Sequence, residues 1–375
     1  MPCHDYVNGI YMSEYVITSV KNQIGYITLD RPKALNSLSL DMVRALTATL
    51  LAWRDDTTIR AVVIHSSSEK AFCAGGDIRF FYDVGTATPS GDSALLEDFF
   101  TEEYALNHLI HFYPKPYIAL MNGVVMGGGM GIAQAGENCR LRIVTERTKM
   151  AMPEVNIGLF PDVGGSYFLS RTPGEIGTYL GLTGDIIAAA DALYAGLADV
   201  YIPTSELPAL LSMLETSNSQ DIRLAIREFA APFASQADPA SSKLASQRAL
   251  IDQFFSGNTV LAIAEKLSNN SDAFAQQTLV TMEKRSPLLM CVTLEQLRRG
   301  ARQNVADCLR MERTMVRHCF KHGEVLEGVR ALVVDKDNMP RWSPAHLRDV
   351  SQEQVDQFFT EVWPVHAHPL RHLQG

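Results

Sequence analysis

Short apolar runs alternate with amphipathic segments over the first 200 residues of the chain. The runs EYVITSV and IGYITLD are rich in β-branched and aromatic residues, and only residues 21–23 separate them, a spacing that predicts a hairpin. Ser39 precedes apolar residues at helical spacing, which predicts a helix with a serine N-cap. The continuous apolar run at 60–66 predicts a buried strand. Because strand, loop and helix keep this order, we expect an α/β fold.

The pattern changes after about residue 205. Before that point, the sequence predicts a long helix over 94–112, and Pro114 and Pro116 just beyond it end the helix. Strands and loops then alternate to about residue 200. Beyond that point the segments are helical and rich in Ala and Leu, without strand-like runs. We therefore expect an α/β core over residues 1–205 and a mainly helical C-terminal region over residues 206–375.

Composition narrows the class of protein. The chain has 375 residues, of which 46% are hydrophobic and 20% charged, as in globular proteins. Its formal net charge of −9 argues against a nucleic-acid partner. Six scattered cysteines without a C-x-x-C pair favour a reducing compartment. The N-terminus has no basic and apolar leader, so we expect a cytoplasmic location, or the mitochondrial matrix in a eukaryote.

One nearly uncharged stretch, residues 117–133, raises the question of whether the chain spans a membrane. It is shorter than the roughly 20 residues that a span requires, and it contains Asn122 and five glycines. We interpret it as a buried strand followed by a glycine-rich turn, and we expect no membrane partner.

Three glycine-containing loops, at 71–77, 122–129 and 152–165, each follow an apolar strand. Glycine lets backbone N–H groups approach a ligand closely, and convergent N–H groups suit an oxygen that becomes anionic. Each loop alone is equally compatible with an ordinary tight turn. The chain has no phosphate-loop motif, no G-x-S-x-G elbow and no histidine or cysteine cluster at metal-ligand spacing, so we expect no metal site.

Taken together, the three loops resemble those of the crotonase (enoyl-CoA hydratase/isomerase) superfamily. This match covers the chain through about residue 200. Within the superfamily the chain is most similar to the 3-hydroxyisobutyryl-CoA hydrolase branch, and that similarity runs almost end to end. The strings that carry it are KAFCAGGDI, KPYIALMNGVVMGGGMGI, AMPEVNIGLFPDVGGSYFLSR and GEVLEGVRALVVDKDNMPRW. The resemblance implies a spiral of repeated ββα turns in the core, followed by the helical C-terminal region, and a possible homo-oligomer.

The resemblance also assigns the site. It implies that the backbone N–H groups of Ala74 and Gly128 form an oxyanion hole for a thioester carbonyl. Hydratases of the superfamily use two glutamates; the position of the first is Gly131 here, and the second is present as Glu154. The hydrolase branch places substrate-binding or catalytic residues at the positions of four residues of this chain, which are Glu103, Gly128, Glu154 and Asp162.

The implied reaction is hydrolysis of a short branched 3-hydroxyacyl-CoA thioester, most closely 3-hydroxyisobutyryl-CoA in valine breakdown. Glu154 would form a mixed anhydride or act as general base on water. Asp162 would hold the 3-hydroxyl group or assist proton transfer, and Glu103 would orient substrate or water. Two alternatives remain at this point: an enoyl-CoA hydratase or isomerase, and a non-catalytic acyl-CoA-binding protein.

Coenzyme A is the implied ligand, as part of the substrate, and no separate cofactor is expected. Its phosphates require cations. Arg31 and Lys33 flank the loop that lines the CoA side in this family, and they are the candidate CoA-binding residues.

Overall fold

The computed structural model describes residues 6–7, 10–11, 13–88 and 93–375. The strands of these residues are β1 (Tyr6–Val7), β2 (Ile10–Tyr11), β3 (Val16–Lys21), β4 (Ile24–Leu29), β5 (Ala61–Ser66), β6 (Ala71–Cys73), β7 (Tyr117–Met121), β8 (Val124–Met126), β9 (Arg140–Val144), β10 (Lys149–Ala151) and β11 (Val200–Tyr201). The helices are α1 (Leu40–Asp55), α2 (Ile78–Ala87), α3 (Ala94–His111), α4 (Gly128–Gly131), α5 (Gly165–Phe168), α6 (Ile176–Thr183), α7 (Ala189–Tyr194), α8 (Leu207–Thr216), α9 (Ile222–Ala230), α10 (Lys243–Phe255), α11 (Val260–Ser268), α12 (Ala273–Met282), α13 (Pro287–Gly300), α14 (Val305–His322), α15 (Glu324–Val329) and α16 (Gln352–Gln357).

The predicted hairpin is confirmed. Strands β3 and β4 pair antiparallel, with Lys21 opposite Ile24. The two residues between them, Asn22 and Gln23, have φ angles of 49° and 61°. Positive φ at both central residues is the geometry of a two-residue turn whose twist matches the paired strands.

The main sheet is parallel apart from its first strand. Its six strands lie in the order β11-β9-β7-β5-β4-β3, and β4, β5, β7, β9 and β11 run in the same direction. Helix α1 begins after Ser39, whose hydroxyl accepts the N–H of Met42, as predicted. A second sheet has the order β10-β8-β6, in which β6 and β8 are parallel. The predicted α/β class is therefore confirmed.

The chain divides into two units, named here the sheet unit and the helical unit. The sheet unit comprises Met1–Gly76, Leu106–Met150 and Ile186–Ser246, and the helical unit comprises Asp77–Ala105, Ala151–Asp185 and Gln247–Gly375. The limits of these units do not coincide with residue 205, where alternating strands and helices change to helices alone. The physical reason is that helices α8 and α9, which follow residue 205, bury Leu210 and Ile226 in the core that covers the main sheet.

The helical unit combines segments from three parts of the chain. Its C-terminal helix α13 packs against α5 and α6, and α14 also packs against α5. Helix α15 packs against the short 3₁₀ helix Glu154–Ile157. The C-terminal helices thus form one unit with the segments that hold the candidate carboxylates.

The stretch at 117–133 forms β7, β8 and α4, so its interpretation as a buried strand with a glycine-rich turn is confirmed. All five residues of β7 are buried. Among the described residues, none of the helices is both long and apolar enough to cross a membrane.

Candidate active site

Three carboxylates indicated by the sequence lie buried in the helical unit. Glu103 is on α3, Glu154 begins a 3₁₀ helix, and Asp162 lies in the turn before α5. Their exposed fractions are 2%, 6% and 5%. Acidic side chains are rarely buried to this extent unless they are paired or functional, so a solvated surface role is excluded for all three.

Asp162 has a hydrogen-bond donor within this unit. The Tyr104 hydroxyl donates to its Oδ2 at 2.8 Å. Burial raises the pKa of Asp162 to about 6, and the hydrogen bond from Tyr104 opposes this increase. A carboxyl group with a pKa near 6 changes its charge close to neutral pH, where it can exchange protons with a substrate.

Glu154 is held by its backbone and leaves a side-chain oxygen unpaired. Its carbonyl oxygen accepts the N–H groups of Gly158 and Leu159, which fixes the 3₁₀ turn. Its Oε2 is buried and has no hydrogen-bond partner among the described residues. Burial, with the negative charge of Asp162 as the second cause, raises the pKa of Glu154 well above its usual value. This is the environment expected of a catalytic base or nucleophile.

Glu103 has an environment similar to that of Glu154. Its Oε1 is buried and unpaired among the described residues. Burial first, and the charge of Asp162 second, raise the pKa of Glu103 well above its ordinary range. Asp162 therefore influences both glutamates, which shows that the three carboxylates form one electrostatic cluster.

A fourth buried carboxylate, Glu312 on α14, was not among the residues predicted from the sequence. Its side chain is fully buried, and its two oxygens accept the N–H groups of Gly164 and Ser166 at 2.8 and 2.9 Å. Burial raises the pKa of Glu312 to about 8, against the opposing effect of these hydrogen bonds. Glu312 lies between Arg310 and Arg313 in a charged helical segment, so no sequence pattern distinguishes it from a solvated residue.

We expect the contribution of Asp162 and Glu312 to the free energy of unfolding to fall as the pH rises from about 4 to about 8. A buried acid with a raised pKa binds its proton more tightly in the folded chain, so its ionisation disfavours folding. This loss is complete above a pH of about 6 for Asp162 and about 8 for Glu312. This contribution should differ by a few kcal/mol between about pH 5 and about pH 8.5, and urea denaturation of the wild type and of Glu312→Gln at both pH values measures it. The Glu312→Gln variant should show a smaller difference, and an equal difference would contradict this assignment.

The candidate oxyanion hole lies in the sheet unit, and the structure corrects one of its two members. The Ala74 N–H donates to the Leu35 carbonyl oxygen at 3.0 Å, so it is already satisfied. The N–H groups of Gly76 and Gly128 have no acceptor within the described part of the chain. In the first loop, Gly76 rather than Ala74 therefore has an unoccupied backbone N–H, as Gly128 has in the second loop.

The two loops that hold these glycines follow the adjacent parallel strands β6 and β8. Gly75, with a φ of 106°, packs on the second loop: a Cβ built there would lie 3.2 Å from the Met126 carbonyl oxygen and 3.6 Å from the Gly128 nitrogen. Side chains would strain this contact, which explains the glycines. Gly131, the position of the hydratase glutamate, is buried in α4 and offers no carboxylate.

The two candidate CoA-binding cations differ in availability. Arg31 is half-buried, and its guanidinium donates to the Ser37 carbonyl oxygen at 3.0 Å and lies over the Tyr15 ring. Lys33 is exposed on the 3₁₀ turn Pro32–Ala34. Across the described ranges, no group of three or more His, Cys, Asp or Glu residues is arranged to hold a metal ion.

Comparisons with known proteins agree over most of the chain. A family model described as enoyl-CoA hydratase/isomerase matches residues 24–359. The mitochondrial 3-hydroxyisobutyryl-CoA hydrolase of Danio rerio is 37% identical over 362 residues, which cover 96% of this chain and 93% of that protein. The protein of the same name from Homo sapiens is 37% identical over 353 residues, with 93% and 89% covered.

Two solved structures share the fold. A carnitinyl-CoA dehydratase from Mycobacterium thermoresistibile gives a TM-score of 0.86 at 39% identity and covers 94% of this chain and 98% of its own. An enoyl-CoA hydratase from Rhodobacter sphaeroides 2.4.1 gives 0.83 at 35% identity, with 93% and 98% covered. Both matches include the C-terminal helices, so the fold expected from the sequence resemblance is confirmed over nearly the whole chain.

Proposed function

The chain belongs to the enoyl-CoA hydratase/isomerase family, and from this premise we propose that it hydrolyses 3-hydroxyisobutyryl-CoA. The products are 3-hydroxyisobutyrate and free coenzyme A, a step in the breakdown of valine. The curated relatives with that activity in their names support this substrate, since they match at least nine-tenths of the chain. Water is the only other reactant, so the reaction needs no cofactor.

One observation carries the proposal: Glu154 is a buried carboxylate with an unpaired oxygen, whereas Gly131 holds no carboxylate. Addition of water to a double bond by two glutamates requires a carboxylate at both positions. Thioester cleavage requires a single group that attacks the carbonyl carbon or activates a water molecule. The residues present therefore favour hydrolysis.

In the proposed mechanism, the N–H groups of Gly76 and Gly128 donate to the thioester carbonyl oxygen. Negative charge develops on this oxygen when the carbonyl carbon becomes tetrahedral. Fixed backbone donors stabilise that charge without reorganisation, and each contributes about 3 kcal/mol in comparable sites.

Two routes are open to Glu154. As a nucleophile, its carboxylate attacks the carbonyl carbon, the C–S bond breaks, the coenzyme A thiolate leaves, and water then hydrolyses the mixed anhydride. As a general base, it takes a proton from the water that attacks the same carbon, and the proton passes to the leaving sulfur. Single turnover in isotopically labelled water distinguishes them, because only the anhydride route can place the label in Glu154.

Asp162 and Glu103 contact the acyl part of the substrate in this proposal. Asp162 accepts the 3-hydroxyl proton or assists proton transfer, and Glu103 orients substrate or water through its unpaired Oε1. Lys33, which is exposed, is our candidate for a coenzyme A phosphate, and Arg31 is the weaker one because its guanidinium already has the Ser37 acceptor.

A thiol-release assay over a panel of short acyl-CoA thioesters tests the proposal, with hydration of crotonyl-CoA measured in parallel. We expect release of coenzyme A to be fastest from 3-hydroxyisobutyryl-CoA, and crotonyl-CoA to be hydrated far more slowly. The parallel measurement matters because a similar solved structure, that from Rhodobacter sphaeroides 2.4.1, is named an enoyl-CoA hydratase. Hydration faster than thiol release would support a hydratase instead, and binding without either reaction would support an acyl-CoA-binding protein.

A further inference from the structure

The fully buried carboxylate of Glu312 has no part in the reaction proposed above, yet it bonds to the turn that follows Asp162. Its Oε2 accepts the Gly164 N–H at 2.8 Å, and its Oε1 accepts the Ser166 N–H at 2.9 Å. Burial of a carboxylate is costly unless donors compensate it. Here both carboxyl oxygens of Glu312 accept hydrogen bonds from backbone N–H groups of one short turn, and these two bonds constrain the backbone path of that turn.

This turn is strained and needs support from outside. Val163 has a φ of 52°, in a region that a β-branched residue rarely adopts, and Gly164 follows with a φ of 91°. The only backbone hydrogen bond described across the turn from Asp162 is the one from the Gly165 N–H to the Asp162 carbonyl oxygen, at 2.7 Å. Such a conformation persists where the surrounding structure fixes it, and it occurs preferentially at functional sites.

A neighbouring helix supports the same turn at its two ends. Gln296 on α13 donates through Nε2 to the Pro161 carbonyl oxygen at 2.6 Å and to the Ser166 hydroxyl at 2.8 Å. Tyr104 contacts the Asp162 side chain itself. Glu312 is thus the side chain that accepts the N–H groups of Gly164 and Ser166 within this turn.

We propose that Glu312 is a positioning residue, which fixes the turn 162–166 and thereby sets where the Asp162 carboxylate meets the acyl group of the substrate. The inference rests on the proposed function, in which Asp162 contacts that group. It assigns to the C-terminal helices a role in the geometry of the catalytic carboxylates as well as in packing. A misplacement of about 1 Å in such a group can lower the rate about 100-fold.

The first test compares Glu312→Gln with a matched control. Glutamine retains one acceptor oxygen and loses the second. Asp191 in the sheet unit is also buried, and it accepts the N–H groups of Leu244 and Ala188 at 2.8 and 3.4 Å. We expect Glu312→Gln to lower kcat about 10- to 100-fold with KM within threefold, and Asp191→Asn to lower Tm while kcat stays within twofold. Equal kcat values for Glu312→Gln and the wild type would overturn the inference.

A double-mutant cycle distinguishes positioning from a general structural defect. If Glu312 acts through Asp162, the Glu312→Gln/Asp162→Asn double variant should be no slower than Asp162→Asn alone. Multiplication of the two losses would show that Glu312 acts elsewhere and would remove the inference. Glu312→Asp keeps the carboxyl group but shortens the side chain, and it should show a similar loss. It replaces the glutamine variant in the cycle if that variant does not fold.

Hydrogen exchange provides a readout that does not depend on activity. Peptides covering residues 159–168 should exchange faster in Glu312→Gln than in the wild type and in Asp191→Asn, because glutamine keeps one acceptor oxygen and one of the two amides, Gly164 or Ser166, loses its acceptor. Unchanged exchange would contradict the role of Glu312 even in an active hydrolase. A wild-type protein that releases no coenzyme A would instead contradict the proposed function, and the exchange result would still decide whether Glu312 fixes the turn.

Discussion

Replacement of Glu154 by glutamine is expected to lower kcat for coenzyme A release about 1,000-fold and to leave KM within threefold. Glutamine has nearly the same size, so the buried position stays filled, but it can neither attack the thioester carbon nor accept a proton from water. The proposed function assigns the reaction to Glu154, whose Oε2 is buried and unpaired among the described residues and whose pKa burial raises well above its usual value. Initial rates of thiol release with 3-hydroxyisobutyryl-CoA measure the effect.

The same substitution at Glu102 provides the control. Glu102 precedes Glu103 on α3 but is only half-buried, and Glu102→Gln should retain kcat within twofold. Residual activity of Glu154→Gln close to that of Glu102→Gln would transfer the catalytic role to another residue of the cluster.

Local interactions explain which elements of the fold the sequence predicts correctly. The hairpin at Asn22 and Gln23 depends on two residues that tolerate positive φ, and α1 depends on the hydroxyl of Ser39 within its own first turn. Such signals lie within a few residues of the structure they determine. Patterns of this range predicted the α/β class, whereas the candidate catalytic residues came from the family resemblance.

Contacts between distant segments explain the differences. The resemblance gave Ala74 as one donor of the oxyanion hole, but the Ala74 N–H donates to the Leu35 carbonyl oxygen. The backbone N–H group in this loop that has no acceptor among the described residues is that of Gly76, two residues later. Glu312 becomes part of the carboxylate cluster only because α14 packs against α5. Neither contact has a periodic or compositional signal, and each depends on how separate segments meet.

The limits of the two compact units also differ from the expected boundary at residue 205. It followed the change from alternating strands and helices to helices alone, which is a property of local sequence. Which helices share a core is decided by burial, and α8 and α9 bury their apolar residues over the main sheet. A change in element type along a chain therefore does not locate a structural boundary.

Replacement of Asp162 by asparagine is expected to lower kcat/KM for 3-hydroxyisobutyryl-CoA about 100-fold and to affect isobutyryl-CoA, which lacks the hydroxyl group, much less. A hydrogen bond to a charged group contributes about 1.5–3 kcal/mol, and its loss leaves a buried polar group without its partner. The ratio of the two kcat/KM values is the measurement. A general loss of structure would reduce both values and leave their ratio unchanged, so an unchanged ratio would contradict a contact between Asp162 and the 3-hydroxyl group.

The pH dependence of the same variant gives an independent check on the electrostatic cluster. The negative charge of Asp162 helps to raise the pKa values of Glu154 and Glu103. Asparagine carries no charge, so the pKa of Glu154 should fall in the variant, and the acidic limb of its kcat/KM profile should move to lower pH. If the acidic limb of the variant lies at the same pH as that of the wild type, the charge of Asp162 does not affect the pKa of Glu154 in the working enzyme. The role of Asp162 would then be limited to its contact with the substrate.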